Sequence, residues 1–286
     1  MKIGIGLPSI IPWATPEQVI ACAVAAEEEG FSSVGVIDRL VYANTEPLVT
    51  LGAAAAVTTR IKLMTSILLA PLRVNAALLA KQAATVNHLS HGRLLLGMAV
   101  GGYEDDYKAS GLLFSERGRR FDAMLAEMVK VWAGEARGVA GPIGPRSGVQ
   151  QSQIVFGGQN AKTFVRVATY GGGWIAGSRG VKTFRAGADG VLKAWEQHRR
   201  EGKPRLMALP YFALGATAKE NAIKFLTDHY ALEGPAALRM AENALTDVEA
   251  VNQTIAAYAA AGCDELMLFP CSPEPEQVRL LAGSIR

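Results

Sequence analysis

The feature that most limits what this chain can fold into is an alternation, repeated eight times, of a short apolar or β-branched run and a longer helical stretch. The runs are KIGIGL (2–7), SVGVI (33–37), KLMTSILLA (62–70), RLLLGMAV (93–100), QIVFG (153–157), GWIAG (173–177), RLMALPYFALG (205–215) and ELMLFP (265–270). A nearly continuous apolar run such as KLMTSILLA suits a parallel strand covered by helices on both faces. Helix signals fall between the runs. Thr15-Pro16-Glu17 offers an N-cap, a proline at the first helical position and an acid in the first turn, and Gly30 stops that helix. Further helices are expected over 47–58, 75–90, 104–110 and 115–133, two or three within 217–261, and a last one from Glu274. Pro210 cannot donate to a ladder, so the seventh run is expected to bulge or bend there.

Eight such units with short connections and right-handed crossovers predict a closed (β/α)₈ barrel, a single α/β domain over 1–286. An open doubly wound sheet shares the alternation, but it takes a Gly-rich turn after its first strand, where this chain has Pro8-Ser9. Half of the 286 residues are apolar, enough for a large core.

Composition removes several classes of function. Basic residues (29) barely exceed acidic ones (26) and form no run, so no nucleic-acid partner is expected. No apolar window reaches 18 residues, and MKIGIGLPSIIPW is too broken for a signal peptide, so neither a membrane span nor export is expected. Cys22, Cys263 and Cys271 have no metal-type spacing and ask for no oxidising compartment; Cys271, just past a strand, could line a pocket. The cytoplasm is the default.

A barrel assembles its site from residues just after each strand. Two such turns stand out. VFGGQNAKTF places Gly157 and Gly158 before a helix N-terminus, an arrangement that suits phosphate through amide donors and the helix dipole, although a tight turn would use the same glycines. IAGSRG adds Gly177, Ser178 and Arg179 on the next strand. His88, His91, His198 and His229 all fall on helices or their ends, no metal cluster is spelled out, and neither a Walker loop nor a nucleophile elbow is present. A phosphate cradle with few acid–base groups suits a cofactor that brings its own chemistry, and redox leads.

Several stretches resemble one family. LLAKQAATVNHLSHGRLLLGMAVGGYEDDYKASGLLFSERGRRFDAML (78–125), AAEEEGFSSVGVIDRL, EPLVTLGAAAAVTTRIKLMTSILLAPLR and the GG…GGGWIAGS pair look, in order, like the luciferase-like flavin- and deazaflavin-dependent oxidoreductases. The resemblance implies a barrel whose mouth takes reduced FMN or coenzyme F420. It puts a non-prolyl cis peptide at Ser66-Ile67, backing the ring, and lays Asp38, Gly101, Gly102 and Tyr103 along ring and ribityl chain. Gly157, Gly158, Gly177, Ser178 and, with them, Arg179 would hold the phosphate. It also implies a small organic substrate, commonly a homodimer, and for FMN a separate flavin reductase. LGAAAAV (51–57) could serve that interface or barrel packing equally.

The chain departs from the pattern in two places. Asp38-Arg39, the candidate catalytic pair, stands where many members have an acid followed by histidine. Ala99 and Val100 stand where bacterial luciferase has Cys-Arg, which argues against aldehyde bioluminescence. Two reactions stay open: oxygenation with reduced FMN and O₂, slightly preferred, and hydride transfer with F420. A non-catalytic flavin binder is the remote third. Arg93 is expected to bind helix carbonyls, Glu116, Arg117, Arg119 and Arg120 to form a charged helix face, and Glu104, Asp105 and Asp106 to cap a helix.

Overall fold

The computed structural model describes residues 1–146 and 148–285. Eight strands form a closed parallel ring: β1 (Lys2–Gly6), β2 (Ser33–Val36), β3 (Lys62–Thr65), β4 (Leu94–Ala99), β5 (Ile154–Gly157), β6 (Gly173–Ala176), β7 (Arg205–Ala208) and β8 (Glu265–Pro270). Each pairs in parallel with the next, and β8 returns to β1 through Lys2↔Glu265 to Ile5↔Leu268. Around them lie α1 (Pro16–Glu28), α2 (Pro47–Val57), α3 (Ala76–Leu89), α4 (Glu104–Ala109), α5 (Arg117–Trp132), α6 (Ala161–Tyr170), α7 (Gly180–Gln197), α8 (Ala218–His229), α9 (Pro235–Glu242), α10 (Val248–Ala260) and α11 (Glu276–Ser284).

The predicted local signals are in place. Thr15 and Gln18 form a capping box at α1, and Gly30, at φ +84°, takes the left-handed turn after it. Two predicted strands are interrupted. KLMTSILLA breaks at a cis Ser66–Ile67 peptide, as the resemblance implied, and resumes for Leu68–Leu69 beside β4. The seventh run stops at Ala208, and Tyr211–Phe212 resumes beside β8 after Pro210.

Strand residues divide by parity into two cores. Met64, Leu95, Val155, Ile175, Met207, Met267 and Phe269 form the cluster inside the ring. Their neighbours Leu63, Leu94, Leu96, Phe156, Trp174, Leu206 and Leu268 pack outward against the helices. Inside the ring, Gly4 and Gly6 on β1 and Gly35 on β2, beside Ser33, make room for β8: a Cβ on Gly6 would lie 2.2 Å from the Phe269 ring. LGAAAAV is divided similarly, with Leu51, Ala54 and Ala55 buried and Ala53, Ala56 and Val57 exposed.

The bottom of the barrel is fastened by polar side chains. Arg93, 6% exposed, donates to the carbonyls of Ala55, Thr58, Ile61 and Ser90 and to Thr58 Oγ1, the structural role its position suggested. Glu27 accepts from the backbone N–H groups of Thr59, Arg60 and Ile61. Buried Glu265 accepts from Ser32 and Ser33 at 2.6 Å each. On α5 and the turn before it, Arg119 pairs with Glu116 as expected, whereas Arg120 donates to Pro71 and Val74 carbonyls and Arg117 lies over the Phe114 ring.

Candidate cofactor and substrate site

The strand ends converge on a cavity of about 920 Å³. Five predicted residues line it: Gly102 and Tyr103 after β4, and Gly177, Ser178 and Arg179 after β6. Arg179 is the N-cap of the 18-residue α7, so that helix's free N–H groups and positive dipole end point at the same rim. A Cβ on Gly177 would meet nothing within 4 Å, which leaves the approach to Ser178 open. The cavity then continues between α9 and α10, past Arg239, Met240, Gln253 and Tyr258.

The other predicted residues form a bed beside this cavity. Ile67 lies against Gly157, where a Cβ would come within 2.4 Å of its Cδ1. Ser66 Oγ is buried with no protein partner. Gly101, at φ +80°, approaches Leu69 closely enough that a Cβ would lie 3.3 Å from its Cδ2. Gly158 faces Thr163, whose hydroxyl would lie 2.6 Å from an added Cβ, and its carbonyl accepts from the Trp174 indole at 2.8 Å. Asn160, not Gly158, caps α6. The β5 turn is therefore packed beneath the site, whereas the β6 turn opens into the cavity. An orphaned hydroxyl beside a flat bed, a glycine-bordered rim and a helix N-terminus with Ser178 and Arg179 fit a planar ring carrying a phosphate. Ser147 lies outside the described residues, and no described residue of the Gly/Pro-rich segment 134–152 around it lines the cavity.

The predicted pair Asp38 and Arg39 is not among the residues lining the cavity; Arg39 lies against Tyr103, which is, and both have partners that the sequence did not reveal. Asp38, 4% exposed, accepts from Leu69 N–H at 2.7 Å and from the Arg73 guanidinium, which also holds Glu46 at 2.9 Å. Burial pushes its carboxyl above the ordinary range, and Arg73 opposes that shift. Arg39 Nε donates to Asp106 Oδ2 at 3.0 Å. Asp106 also accepts from the N–H groups of Leu40 at 3.2 Å and Val41 at 2.7 Å. One member of the acidic run thus turns inward to fasten the β2 turn. Only a contact across 67 residues assigns that role, which local reading cannot supply.

The mouth is walled by aromatic residues from distant segments. The Tyr103 ring lies 4.0 Å from the Arg39 guanidinium carbon, and its hydroxyl donates to Glu233 at 3.1 Å. Tyr230, which lines the cavity with Ser178, hydrogen-bonds Tyr211 at 2.9 Å. Tyr42 bonds Asp228. His229, packed between Phe225 and Tyr42, is held neutral, its pKa brought down to about 3 by burial and then by the Arg39 charge. Sequence reasoning passed over Tyr211, Tyr230 and His229, because only the returning chain brings them to the mouth. Cys271 is 1% exposed and burial raises its thiol; it does not line the cavity. Among the described residues no helix is long and apolar enough to cross a membrane, and no His, Cys, Asp and Glu group is arranged as a metal site.

Known proteins resemble this chain in sequence and in fold. An uncharacterized protein of Mycobacterium tuberculosis is 31% identical over 181 residues, 57% of this chain and 61% of that protein. An F420-dependent glucose-6-phosphate dehydrogenase of Beutenbergia cavernae is 37% identical over 129 residues, 42% of this chain and 38% of that protein. Both matches thus span less than two thirds of the relative. In fold, the chain resembles the monooxygenase RslO1 of Streptomyces bottropensis, with TM-score 0.79 and 20% identity over 100% of this chain and 98% of that one. It also resembles an F420-dependent secondary alcohol dehydrogenase, with TM-score 0.78 and 17% identity over 100% and 99%. The family model described as luciferase-like monooxygenase matches residues 3–279. With almost its whole length matched, the chain belongs to the luciferase-like family of flavin- and deazaflavin-dependent oxidoreductases.

Proposed function

We propose that this protein is an F420-dependent oxidoreductase acting on a small organic substrate. The observation that carries this reading is that one cavity is lined both by the Gly177–Arg179 rim and by residues of α9 and α10, with Arg179 and Arg239 in its wall. FMN ends at its phosphate, whereas F420 carries a carboxylate-bearing tail beyond it, and two guanidinium groups along that path suit such a tail. The local identity with F420-dependent glucose-6-phosphate dehydrogenases supports the same choice. This reverses the slight preference for oxygenation expected from the sequence.

Bound F420 would supply the two-electron hydride chemistry. Ser178 and the α7 N-terminus would hold the phosphate, Ile67 over Gly157 would support the ring, and Asp38 fastens the chain after the cis Ser66–Ile67 peptide through Leu69. The aromatic wall formed by Tyr42, Tyr103 and Tyr230 excludes water from the ring face.

A second reading, oxygenation with reduced FMN and O₂, is favoured by one observation. His229 is neutral and buried and Asp38 is engaged, so these two mouth residues offer no free acid or base tuned near neutrality. A separate flavin reductase would then be a partner. Anaerobic titration with F420H₂ and FMNH₂, followed by O₂, tests the choice. Binding of F420H₂ with no response to O₂ is expected. Tight FMNH₂ binding with O₂ consumption overturns the F420 reading, and binding of neither points to a non-catalytic member. Val49, Val74 and Leu78, 72%, 70% and 52% exposed, border a face of α2 and α3 on which we place a second copy. Sedimentation should then give a dimer that Val49→Glu dissociates.

A further inference from the structure

We propose that Arg39 is the substrate's anchor and that this site takes a small organic acid, whose carboxylate meets the free edge of the Arg39 guanidinium. The proposal names a substrate class for the oxidoreductase reading above and rests on it for the reaction, though not for the binding step.

A guanidinium carries five N–H donors in a rigid fork. Arg39 uses one of them well, Nε to Asp106 at 3.0 Å, and Nη2 reaches the Val41 carbonyl only at 3.5 Å. Nη1 takes part in none of the described hydrogen bonds. Of the other two buried arginines, Arg93 uses both of its terminal nitrogens on carbonyls, whereas Arg166 uses Nε and Nη2 on Asp122 and on the Gly118 carbonyl. A charged group kept nearly dry with donors unspent is costly unless a ligand meets them.

The group is also fixed in place. Asp106 is 0% exposed and anchored by two backbone N–H groups, so it holds Nε from behind. Tyr103 at 4.0 Å and Tyr42 at 5.9 Å lie over the guanidinium carbon and fix its plane. A planar fork held firmly at Nε, and at Nη2 only by the 3.5 Å contact to Val41, leaves its opposite edge for bidentate pairing with a carboxylate.

The surroundings fit the rest of such a ligand. The hydroxyls of Tyr42, Tyr103 and Tyr230 are committed to Asp228, Glu233 and Tyr211, so these residues present ring faces suited to an aromatic or apolar body. Asp38, the nearest other carboxylate in sequence, is engaged by Arg73 and leaves no bare negative charge beside the anchor. His229 is neutral and does not compete for the anion.

The test is calorimetric titration of the full chain with benzoate and with benzamide, its neutral isostere, both cofactor-free and loaded with F420. Benzoate should bind at least tenfold more tightly in both forms. Arg39→Gln should abolish that preference, Arg39→Lys should keep only part of it, and Arg119→Gln, at an exposed arginine away from the cavity, should leave it intact. Equal affinities in the unmodified protein overturn the proposal. So does a preference that survives Arg39→Gln, one that disappears in Arg119→Gln, or displacement of benzoate by F420. Should Arg39→Gln fail to fold, the unmodified protein and Arg39→Lys still decide the matter. Failure of the cofactor reading would show separately, as absence of F420 binding, with the cofactor-free benzoate comparison unaffected.

Discussion

Nε of Arg39 lies 3.0 Å from Oδ2 of Asp106, with 6% and 1% of the two side chains left accessible. Removing one member of such a pair strands a buried charge, which costs about 3–5 kcal/mol. Asp106→Asn should lower stability by that order in urea unfolding. The double variant Arg39→Met/Asp106→Leu should recover much of the loss, and additive losses would show that the pair is not coupled.

The contact between Ile67 and Gly157 gives a second expectation. A Cβ at Gly157 would sit 2.4 Å from Ile67 Cδ1, so Gly157→Val must push Ile67 off its bed. Overpacking of this kind costs roughly 1–3 kcal/mol. Cofactor affinity, followed by titration, should fall tenfold or more while the circular dichroism spectrum is kept.

At the rim, Ser178→Asp should abolish cofactor binding by placing a carboxylate against the phosphate. Ser178→Ala, which loses only a hydroxyl, should weaken binding modestly. Unchanged affinity in the aspartate variant would remove this turn from the phosphate site.

Arg93 closes the bottom with five hydrogen bonds from one side chain. Arg93→Met leaves buried carbonyls without donors and should cost roughly 3 kcal/mol or more in urea unfolding. Cofactor titration of the folded variant should be unaltered.

Glu27 predicts an acid limb of stability. Burial raises its pKa, but the donors from Ile61, Arg60 and Thr59 outweigh that and bring it down to about 2. Because the folded pKa is depressed, the contribution is full above the unfolded value of about 4.3 and disappears as pH falls through 2. The stability gap between the unmodified protein and Glu27→Gln should therefore be constant above pH 5 and shrink from there to pH 2. A gap that widens on acidification would contradict the assignment.

The barrel was readable because strand and helix patterns are local. KIGIGL, SVGVI and ELMLFP carry their own strand signals, and Thr15-Pro16 carries its own cap. The β6 rim was readable for the same reason, since Gly177, Ser178 and Arg179 are contiguous. What the sequence hid depends on long-range contacts. Asp106 looked like one of three equivalent acids until the fold turned it toward Arg39, and Arg73 carried no mark of its pairing with Asp38. Tyr230 and His229 sat on a helix whose distance from the mouth closes only when the ring does. Gly157 was read as a phosphate ligand because a glycine before a helix signals either an anion or a tight contact, and only Ile67's position distinguishes the two.

The clustering of Arg93, Glu27 and Glu265 at the strand entry ends has a consequence for how such a chain can change. Their donors and acceptors are spent on one another and on nearby backbone and hydroxyl groups, far from any ligand. The end that secures the fold and the end that meets small molecules are thus separate inventories. Substitutions around Tyr42, Tyr103 and the α9 wall can accumulate against a foundation they do not touch, so a lineage can exchange one substrate for another without first having to become more robust.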